Sequence, residues 1–315
     1  MNNNNLCPSL IIVGTVAYDA IETPFGKVDK VVGGAASYAA LSASYYTQYP
    51  GIISVIGDDF NRDFLLDLEN HNILLHGLEI KKGGKSFFWS GRYRADMNFR
   101  DTLATELNVL ATFTPVVPDH WRRCAYLLLG NLMPSIQNAV LNQMEERPRI
   151  VVMDTMNFWI ESAMEDLKKV LKRVDVLAIN DEEARQLSRE YSLVMAARKI
   201  LDMGPRYLVI KKGENGALLF HEKEVFFAPA LPLEEVFDPT GAGDTFAGGF
   251  TGYLASTGDT SFDNMKRAVL YGSAMASFCV EKFGPERLLN LTRSEIDDRL
   301  RQFINLTQFD IQLTE

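Results

Sequence analysis

The sequence predicts an α/β fold with three layers, in which a mainly parallel central sheet lies between two layers of helices, with a small β-sheet lid added. Two observations carry this prediction. Short apolar runs alternate with segments of helical apolar spacing, which is the pattern of parallel strands joined by crossover helices. Two other segments break this rhythm with alternating polar and aromatic residues, a pattern typical of strands with one solvated face.

Six apolar runs have the length of buried strands in the main sheet. They are Leu10 to Val13, Ile52 to Ile56, Tyr126 to Leu129, Ile150 to Met153, Val176 to Ile179 and Tyr207 to Ile210. Between these runs, apolar residues three or four positions apart predict amphipathic helices, for example around Leu167, Val170 and Leu171. After Gly241 the pattern becomes almost wholly helical, and Phe262 to Phe283 is the longest helix candidate.

The two segments without helical spacing run from about residue 16 to 32 and from 85 to 110. In the second segment Phe87, Trp89, Gly91 and Tyr93 alternate with other residues, which predicts strands of a small separate sheet. No low-complexity linker or charge run marks a boundary between independently folding parts. We therefore expect one domain over residues 1–315, with these two segments as its lid.

Composition restricts the classes of partner. The chain has 32 Lys and Arg against 41 Asp and Glu, and its net charge of -9 argues against nucleic acids and anionic membranes as main partners. Its three cysteines lack CxxC spacing and predict neither a disulfide framework nor a zinc cluster. Since the sequence shows no signal peptide pattern and no apolar run of membrane-spanning length, we expect a soluble cytoplasmic protein.

The strongest chemical signal is the segment 237–250, which reads Phe-Asp-Pro-Thr-Gly-Ala-Gly-Asp-Thr-Phe-Ala-Gly-Gly-Phe. Gly241 and Gly243 permit close backbone approach, and the small residues allow a helix to begin there. Such a helix directs N–H groups and the positive end of its dipole at an anion, above all a phosphoryl group in transfer. Asp244 in the first turn would accept the proton of an attacking alcohol or orient it. The alternative is an Asp that only caps a helix and glycines that only turn.

This segment resembles the C-terminal signature of the ribokinase-like, PfkB-type family of sugar and nucleoside kinases. Three more landmarks follow in the family's order. Residues 32–36 (Val-Gly-Gly-Ala-Ala) are similar to its N-terminal glycine pair, residues 180–183 (Asn-Asp-Glu-Glu) to its Asn-x-x-Glu, and residues 211–216 (Lys-Lys-Gly-Glu-Asn-Gly) to its Gly-x-x-Gly turn. Their order and spacing make the match more specific than any single motif.

The resemblance implies roles for several residues of the helix start. Asp244 would be the catalytic base, and the amides of Gly241, Ala242 and Gly243 would form the anion hole. Asp238 would lie near a monovalent cation such as K⁺, since some family members are activated by potassium. The sequence itself contains no independent support for that ion.

For the nucleotide, the resemblance implies ATP with Mg²⁺. Asn180 and Glu183 would help to hold Mg²⁺ and its waters, a role that suits oxygen ligands because this ion is a hard cation. Their alternative role is a helix cap followed by an acid in the first turn. Lys211, Gly213 and Gly216 would lie along the nucleotide, and for the two glycines a hairpin turn is the alternative.

For the acceptor, the resemblance places Asp19, Gly33 and Gly34 against the hydroxyls of a sugar. A carboxylate such as Asp19 accepts hydrogen bonds from neighbouring hydroxyls well, although a solvated loop aspartate is the alternative. Many sugar kinases of the family have Asp-Pro-Asn followed by Arg after a mid-chain strand, and here only Asp154 and Asn157 stand in register. The missing arginine weakens an assignment to phosphorylated sugars or fructose and leaves Asn157 as the candidate substrate contact.

Aromatic residues and arginines recur in the lid from Phe87 to Tyr93 and from Asn98 to Arg100. They would contact a sugar ring or nucleobase, or form an interface, because lids of this type pair between subunits in a homodimer. The leading hypothesis is an ATP-dependent kinase that phosphorylates a hydroxymethyl group of a sugar. The alternatives are a nucleoside kinase of the same family and a non-catalytic sensor of nucleotides or sugars. The presence of Asp244 argues against the sensor, because a sensor does not need a base there.

Overall fold

The computed structural model describes residues 6–95, 97 and 100–308. Its strands are β1 (Ile11–Val13), β2 (Ala17–Thr23), β3 (Gly26–Gly33), β4 (Gly51–Gly57), β5 (Leu74–Lys81), β6 (Phe88–Tyr93), β7 (Arg100–Glu106), β8 (Tyr126–Leu129), β9 (Ile150–Met153), β10 (Val176–Asn180), β11 (Tyr207–Lys211), β12 (Ala217–His221) and β13 (Glu224–Ala228). Its helices are α1 (Ala35–Ser44), α2 (Arg62–Asn70), α3 (Pro134–Gln143), α4 (Asn157–Ser162), α5 (Met164–Leu171), α6 (Asp181–Ser188), α7 (Leu193–Leu201), α8 (Ala242–Thr257), α9 (Phe262–Cys279), α10 (Glu286–Leu289) and α11 (Arg293–Thr307). Over the described ranges, none of these helices combines the length and the apolar character that crossing a bilayer requires.

The larger sheet has the strand order β13-β12-β11-β10-β9-β8-β1-β4-β5. Neighbouring strands pair in parallel from β11 to β5, whereas β12 and β13 add an antiparallel hairpin at one edge. The prediction of a mainly parallel sheet is therefore confirmed. Each of the six predicted apolar runs coincides with a strand to within one residue at either end.

Two apolar clusters cover the two faces of this sheet. Because side chains alternate along a strand, Ile12 packs into one cluster with α1, α8 and α9, whereas Ile11 and Val13 pack into the other with α3, α5, α6 and α7. Both clusters are built from buried residues. This arrangement confirms the three-layer α/β/α fold.

A second, smaller sheet has the order β3-β2-β6-β7. Its strands β2 and β6 pair in parallel, and its two outer pairs are antiparallel. All four strands lie within the predicted segments 16–32 and 85–110 except for Gly33, which ends β3. The prediction of a separate small sheet is confirmed, while Asn98 and Phe99 lie outside the described residues.

The sequence analysis did not predict the β12–β13 hairpin, and it made α9 too long. The hairpin turns on Glu222 and Lys223, which carry none of the usual Gly or Asn turn signals, although Glu222 adopts a positive φ of 48°. Helix α9 ends at Cys279 instead of Phe283. The carbonyl of the next residue, Val280, accepts a hydrogen bond from the N–H of Phe237 at 2.9 Å and so is directed at the segment that leads into α8.

Helices α1 and α8 cross at very short distance, and this crossing positions the site. A methyl group in place of a hydrogen at Gly248 would lie 2.1 Å from the carbonyl oxygen of Ala39, and one at Gly252 would lie 2.8 Å from the Cα of Ala43. Glycine is therefore required on α8 at these crossing points. The close contact brings the start of α1, which follows the glycine pair, next to the start of α8.

Candidate active site

The site lies where the parallel strands of the main sheet end. Gly14, Gly130 and Asp154 directly follow β1, β8 and β9, while Asn180 and Lys211 end β10 and β11. In open α/β sheets, ligands bind at the carboxyl ends of the strands. The fold thus collects residues from distant parts of the sequence at one edge of the sheet.

The segment predicted to bind an anion is the start of α8. Gly241 is the N-cap residue with φ 78°, and a methyl group there would lie 2.4 Å from the ring of Tyr38 on α1. The N–H of Ala242 donates to the carbonyl oxygen of Pro239 at 3.2 Å. Within the described part of the chain, the N–H groups of Gly241 and Gly243 have no hydrogen-bond acceptor. Two of the three predicted amides are thus available to an anion, and Ala242 instead closes the preceding turn.

Asp244 lies in the first turn of α8, and its pKa is raised to about 7. Burial is the main cause, and the negative charge of Asp154 adds to it. The positive charges of Lys211 and Arg100 oppose the shift, as does the hydrogen bond from the residue's own N–H. A carboxyl group with this pKa is a much stronger base than an ordinary aspartate, and it is still partly ionised near neutral pH.

Lys211 lies beside the start of α8. Its Nζ donates to Asp154 Oδ2 at 2.9 Å, and a methyl group at Gly243 would lie 3.1 Å from the same Nζ. Burial lowers the pKa of Lys211, but the charges of Asp154 and Glu183 outweigh it and raise the pKa overall. The predicted nucleotide contact is therefore a charged ammonium group placed next to the free amides of α8.

The predicted magnesium residues form a capping box at the start of α6. The side chain of Asn180 accepts from the N–H of Glu183 at 2.8 Å, and Glu183 Oε2 accepts from the N–H of Asn180 at 2.8 Å. The cap named as the alternative is thus present, and it leaves Glu183 Oε1 for another partner. Burial, followed by the charge of Asp154, raises the pKa of Glu183 to about 7.

Over the described ranges, no three His, Cys, Asp or Glu side chains come together in a group that could hold a metal ion by themselves. The remaining oxygen Oε1 of Glu183 nevertheless suits Mg²⁺, because this ion keeps several waters and binds through one or two carboxylates and substrate phosphates. The donor set thus fits a magnesium ion that is shared with a phosphate ligand, and does not fit a closed metal cage.

The second sheet contributes Asp19, which meets the glycine pair at the end of β3. A methyl group at Gly33 would lie 1.9 Å from Asp19 Oδ2, and the N–H of Gly34 bonds to the Asp19 side chain. Gly34 has φ 93°, and a methyl group there would lie 2.5 Å from the carbonyl oxygen of Thr15. Burial raises the pKa of Asp19 to about 8, with smaller contributions from the charges of Asp238 and Asp244. The structure thus brings three of the four predicted acceptor residues together and shows why glycine is needed at both positions.

Three other predicted residues are accounted for locally. Gly213 (φ 54°) and Gly216 (φ 82°) form the turn between β11 and β12, so the hairpin role named as their alternative is observed. Asn157 begins α4, and its Oδ1 accepts from the N–H of Phe158 at 3.0 Å. Among the described residues, no hydrogen bond or ion pair joins these three residues to Asp244.

Asp238 braces the turn that leads into α8. Asp238 is 1% exposed, and its two carboxylate oxygens accept hydrogen bonds from the N–H groups of Thr240 at 2.8 Å and Gly284 at 3.2 Å. Burial raises its pKa. The observed role of this predicted cation ligand is to fix the backbone of residues 238–240.

The family model described as pfkB family carbohydrate kinase matches residues 8–290. The chain belongs to this family. A cytidine kinase from Thermococcus kodakarensis is 29% identical over 76% of this chain and 86% of that protein. Two solved structures share the fold: a nucleoside kinase from Burkholderia thailandensis in complex with inosine (TM-score 0.77, 20% identity, 94% of this chain and 99% of that one) and a ribokinase from Thermotoga maritima (0.73, 20%, 93% and 99%).

As a member of the pfkB family, the protein is a phosphotransferase that uses an alcohol group as acceptor. At these identities the two solved structures support the ribokinase fold and leave the acceptor open between a sugar and a nucleoside. Sequence reasoning did not single out Tyr38, whose ring lies against Gly241, and it named Tyr93 only among the lid aromatics expected to contact a substrate or a second subunit, without its hydrogen bond to Thr240. It noted Asp154 only as a matching position and could not foresee its ion pair with Lys211, which joins residues 57 positions apart.

Proposed function

We propose that this kinase transfers the γ-phosphoryl group of ATP to a hydroxymethyl group of a sugar. The observation that carries the proposal is that Asp244, with its raised pKa, begins the same helix as the free amides of Gly241 and Gly243. Asp244 is one residue away from Gly243 and three residues away from Gly241 in the sequence. An alcohol that gives its proton to Asp244 would then attack a phosphoryl group whose charge those amides stabilise.

The acceptor would be oriented by the second sheet. Asp19 would form hydrogen bonds with ring hydroxyls, and the absence of side chains at Gly33 and Gly34 would let the ring approach the backbone. Because Asp19 is buried with its pKa near 8, it would both donate and accept hydrogen bonds near neutral pH. Such fixed geometry lowers the entropic cost of bringing the alcohol into line with the phosphoryl group.

The nucleotide would lie between Lys211 and the turn at Gly213 and Gly216. The ammonium of Lys211 would stabilise the negative charge of the phosphates next to the start of α8. Mg²⁺ would be held through Asn180, Glu183 and waters, and when bound it would neutralise charge on the phosphates. A K⁺ ion near Asp238 would share a carboxylate that already accepts two backbone hydrogen bonds.

We further propose that residues 1–315 act as one kinase domain with the second sheet as its lid. A lid that covers the site would exclude water and so suppress hydrolysis of ATP. The lid would also be the surface of a homodimer, for which the exposed Leu103 on β7 offers an apolar contact. The three free cysteines are consistent with a reducing cytoplasm.

A nucleoside is the second candidate acceptor, and one observation favours it. Phe158 and Met133 are 54% and 44% exposed, and both follow closely on strands that end at the site. Exposed apolar side chains of this kind would stack on a nucleobase. The names of the Thermococcus cytidine kinase and the Burkholderia nucleoside kinase point in the same direction.

The test is ADP release with ATP and Mg²⁺ on a panel of ribose, fructose, myo-inositol, adenosine and cytidine. With the best acceptor, Asp244→Asn should bind ATP nearly as well as the wild type and lose phosphoryl transfer by several orders of magnitude. Asp263→Asn is the matched control, because Asp263 is an exposed acid in the first turn of another helix, α9. Unchanged turnover in Asp244→Asn would refute the proposed mechanism.

A further inference from the structure

The second sheet is joined by side-chain hydrogen bonds to the turn that precedes α8. Thr23 Oγ1 at the end of β2 donates to the carbonyl oxygen of Phe237 at 3.0 Å. Tyr93 at the end of β6 accepts at its hydroxyl oxygen from Thr240 Oγ1 at 3.1 Å. Two strands of the predicted lid therefore contact the four-residue segment that directly precedes the anion-binding Gly241.

Hydrogen bonds hold the turn before α8, residues 237–240, in one conformation, so that its residues would move together. The two backbone hydrogen bonds to the buried Asp238 hold residues 238–240 to each other and to Gly284. Gly284 in turn packs on the second sheet, since a methyl group there would lie 2.4 Å from Val31 Cγ2. A shift of Thr240 would therefore carry Gly241 with it, as the next residue in the chain.

The Tyr93 hydroxyl has little freedom at this position. Tyr93 is 7% exposed, and burial raises its pKa to about 12, so the hydroxyl remains protonated at any physiological pH. The hydroxyl is hydrogen-bonded to Thr240, and the negative charges of Asp238 and Asp19 also act on it. The hydroxyl thus lies between the acceptor side of the site and the turn before α8.

We propose that Tyr93 is a positioning residue for phosphoryl transfer: its hydroxyl sets the turn at Thr240, and with it the amides of Gly241 and Gly243, relative to the sheet that carries Asp19. The inference rests on the proposed function. In-line transfer depends on where the anion-binding amides lie relative to the acceptor hydroxyl. Tyr93 connects these two parts of the site without belonging to the base, the amides or the nucleotide contacts.

The test uses Tyr93→Phe, which removes only the hydroxyl, and compares kcat with the ATP dissociation constant. We expect kcat to fall about three- to tenfold, the range for loss of one hydrogen bond between neutral groups, with ATP binding unchanged. Thr240→Val should have the same effect, Thr240→Ser should restore activity, and the double variant should be no worse than either single one. Tyr18→Phe is the control in the same sheet, because the hydroxyl of Tyr18 donates to the carbonyl oxygen of Asp59 instead of the turn.

Full activity in Tyr93→Phe would overturn the inference, and so would a double variant whose loss equals the product of the two single losses. A parallel loss of ATP binding would also overturn it, since that result indicates general damage to the site. The measurement uses the acceptor of the five-compound panel that the wild type phosphorylates best. Asp244→Asn distinguishes failure of this inference from failure of the proposed function. If Asp244→Asn is inactive and Tyr93→Phe is fully active, the proposed function stands and only the role of Tyr93 is refuted.

Discussion

Lowering the pH from 8 to 6 should remove most of the activity of this kinase, because Asp244 takes up a proton over that range. With its pKa at about 7, the ionised fraction is about nine tenths at pH 8 and about one tenth at pH 6. The acceptor can give its proton only to the ionised form. The value of kcat/KM should therefore rise about tenfold between pH 6 and pH 8, with a midpoint near the pKa of Asp244.

Two neighbouring charges should move this midpoint in opposite directions. Asp154 raises the pKa of Asp244, so Asp154→Asn should shift the midpoint to lower pH, while Lys211 lowers it, so Lys211→Met should shift the midpoint to higher pH. The double variant Asp154→Asn/Lys211→Met removes both members of the 2.9 Å ion pair. Its midpoint should lie between those of the two single variants.

The assay is initial ADP release at saturating ATP and Mg²⁺ from pH 5.5 to 8.5 at constant ionic strength, with circular dichroism to show that each variant is folded. Asp175→Asn is the control, because Asp175 is a buried aspartate that pairs with Arg147 at 3.0 Å just before β10, at the opposite end of that strand from the site. It should leave the midpoint unchanged. Glu183 also has a pKa of about 7, raised by burial and by Asp154 and lowered by Lys211, so the midpoint should persist in Glu183→Gln. Its loss in that variant, a flat profile, or a shift of both single variants in the same direction would refute the assignment of this titration to Asp244.

Two more predictions concern the acceptor and the metal. Asp19→Asn should raise the KM for the acceptor about tenfold or more and leave the KM for ATP unchanged. The control Asp29→Asn, at an exposed position on β3 of the same sheet, should change neither KM. Equal effects of the two variants would count against a sugar contact at Asp19. Glu183→Gln keeps an oxygen for the capping box but loses the charge, so it should raise the Mg²⁺ concentration needed for half-maximal rate, and an unchanged magnesium titration would exclude a metal role for this residue.

The parts of the fold that the sequence predicted are those with a local physical cause. Buried parallel strands such as β8 and β9 are four consecutive apolar residues, and that pattern appears directly in the sequence. The β12–β13 hairpin was not predicted, because Glu222 and Lys223 at its turn have no turn preference. The turn is held by the pairing of the two strands. Tertiary pairing outweighed local propensity there.

In the site, too, the features with a local cause could be predicted and those that depend on tertiary contacts could not. The glycine-rich start of α8 and the glycines at 33 and 34 could be predicted, because a backbone that must approach a ligand or another chain segment closely needs glycine. The ion pair of Asp154 with Lys211 and the hydroxyl pair of Tyr93 with Thr240 join residues 57 and 147 positions apart. No local pattern contains such pairs, since they arise only when the strands have been brought to the same edge of the sheet.

The charge of the site explains how an acidic protein would bind ATP. Asp154, Glu183 and Asp244 lie near one another, and the cations that act on Asp244 are Lys211 and Arg100. Lys211 already forms an ion pair with Asp154, so of these two cations Arg100 alone is not engaged with that carboxylate. Two amides at the start of α8 supply partial charge only. The remaining neutralisation would have to come from Mg²⁺, and ATP affinity should therefore depend more steeply on magnesium than in a site lined with arginines and lysines.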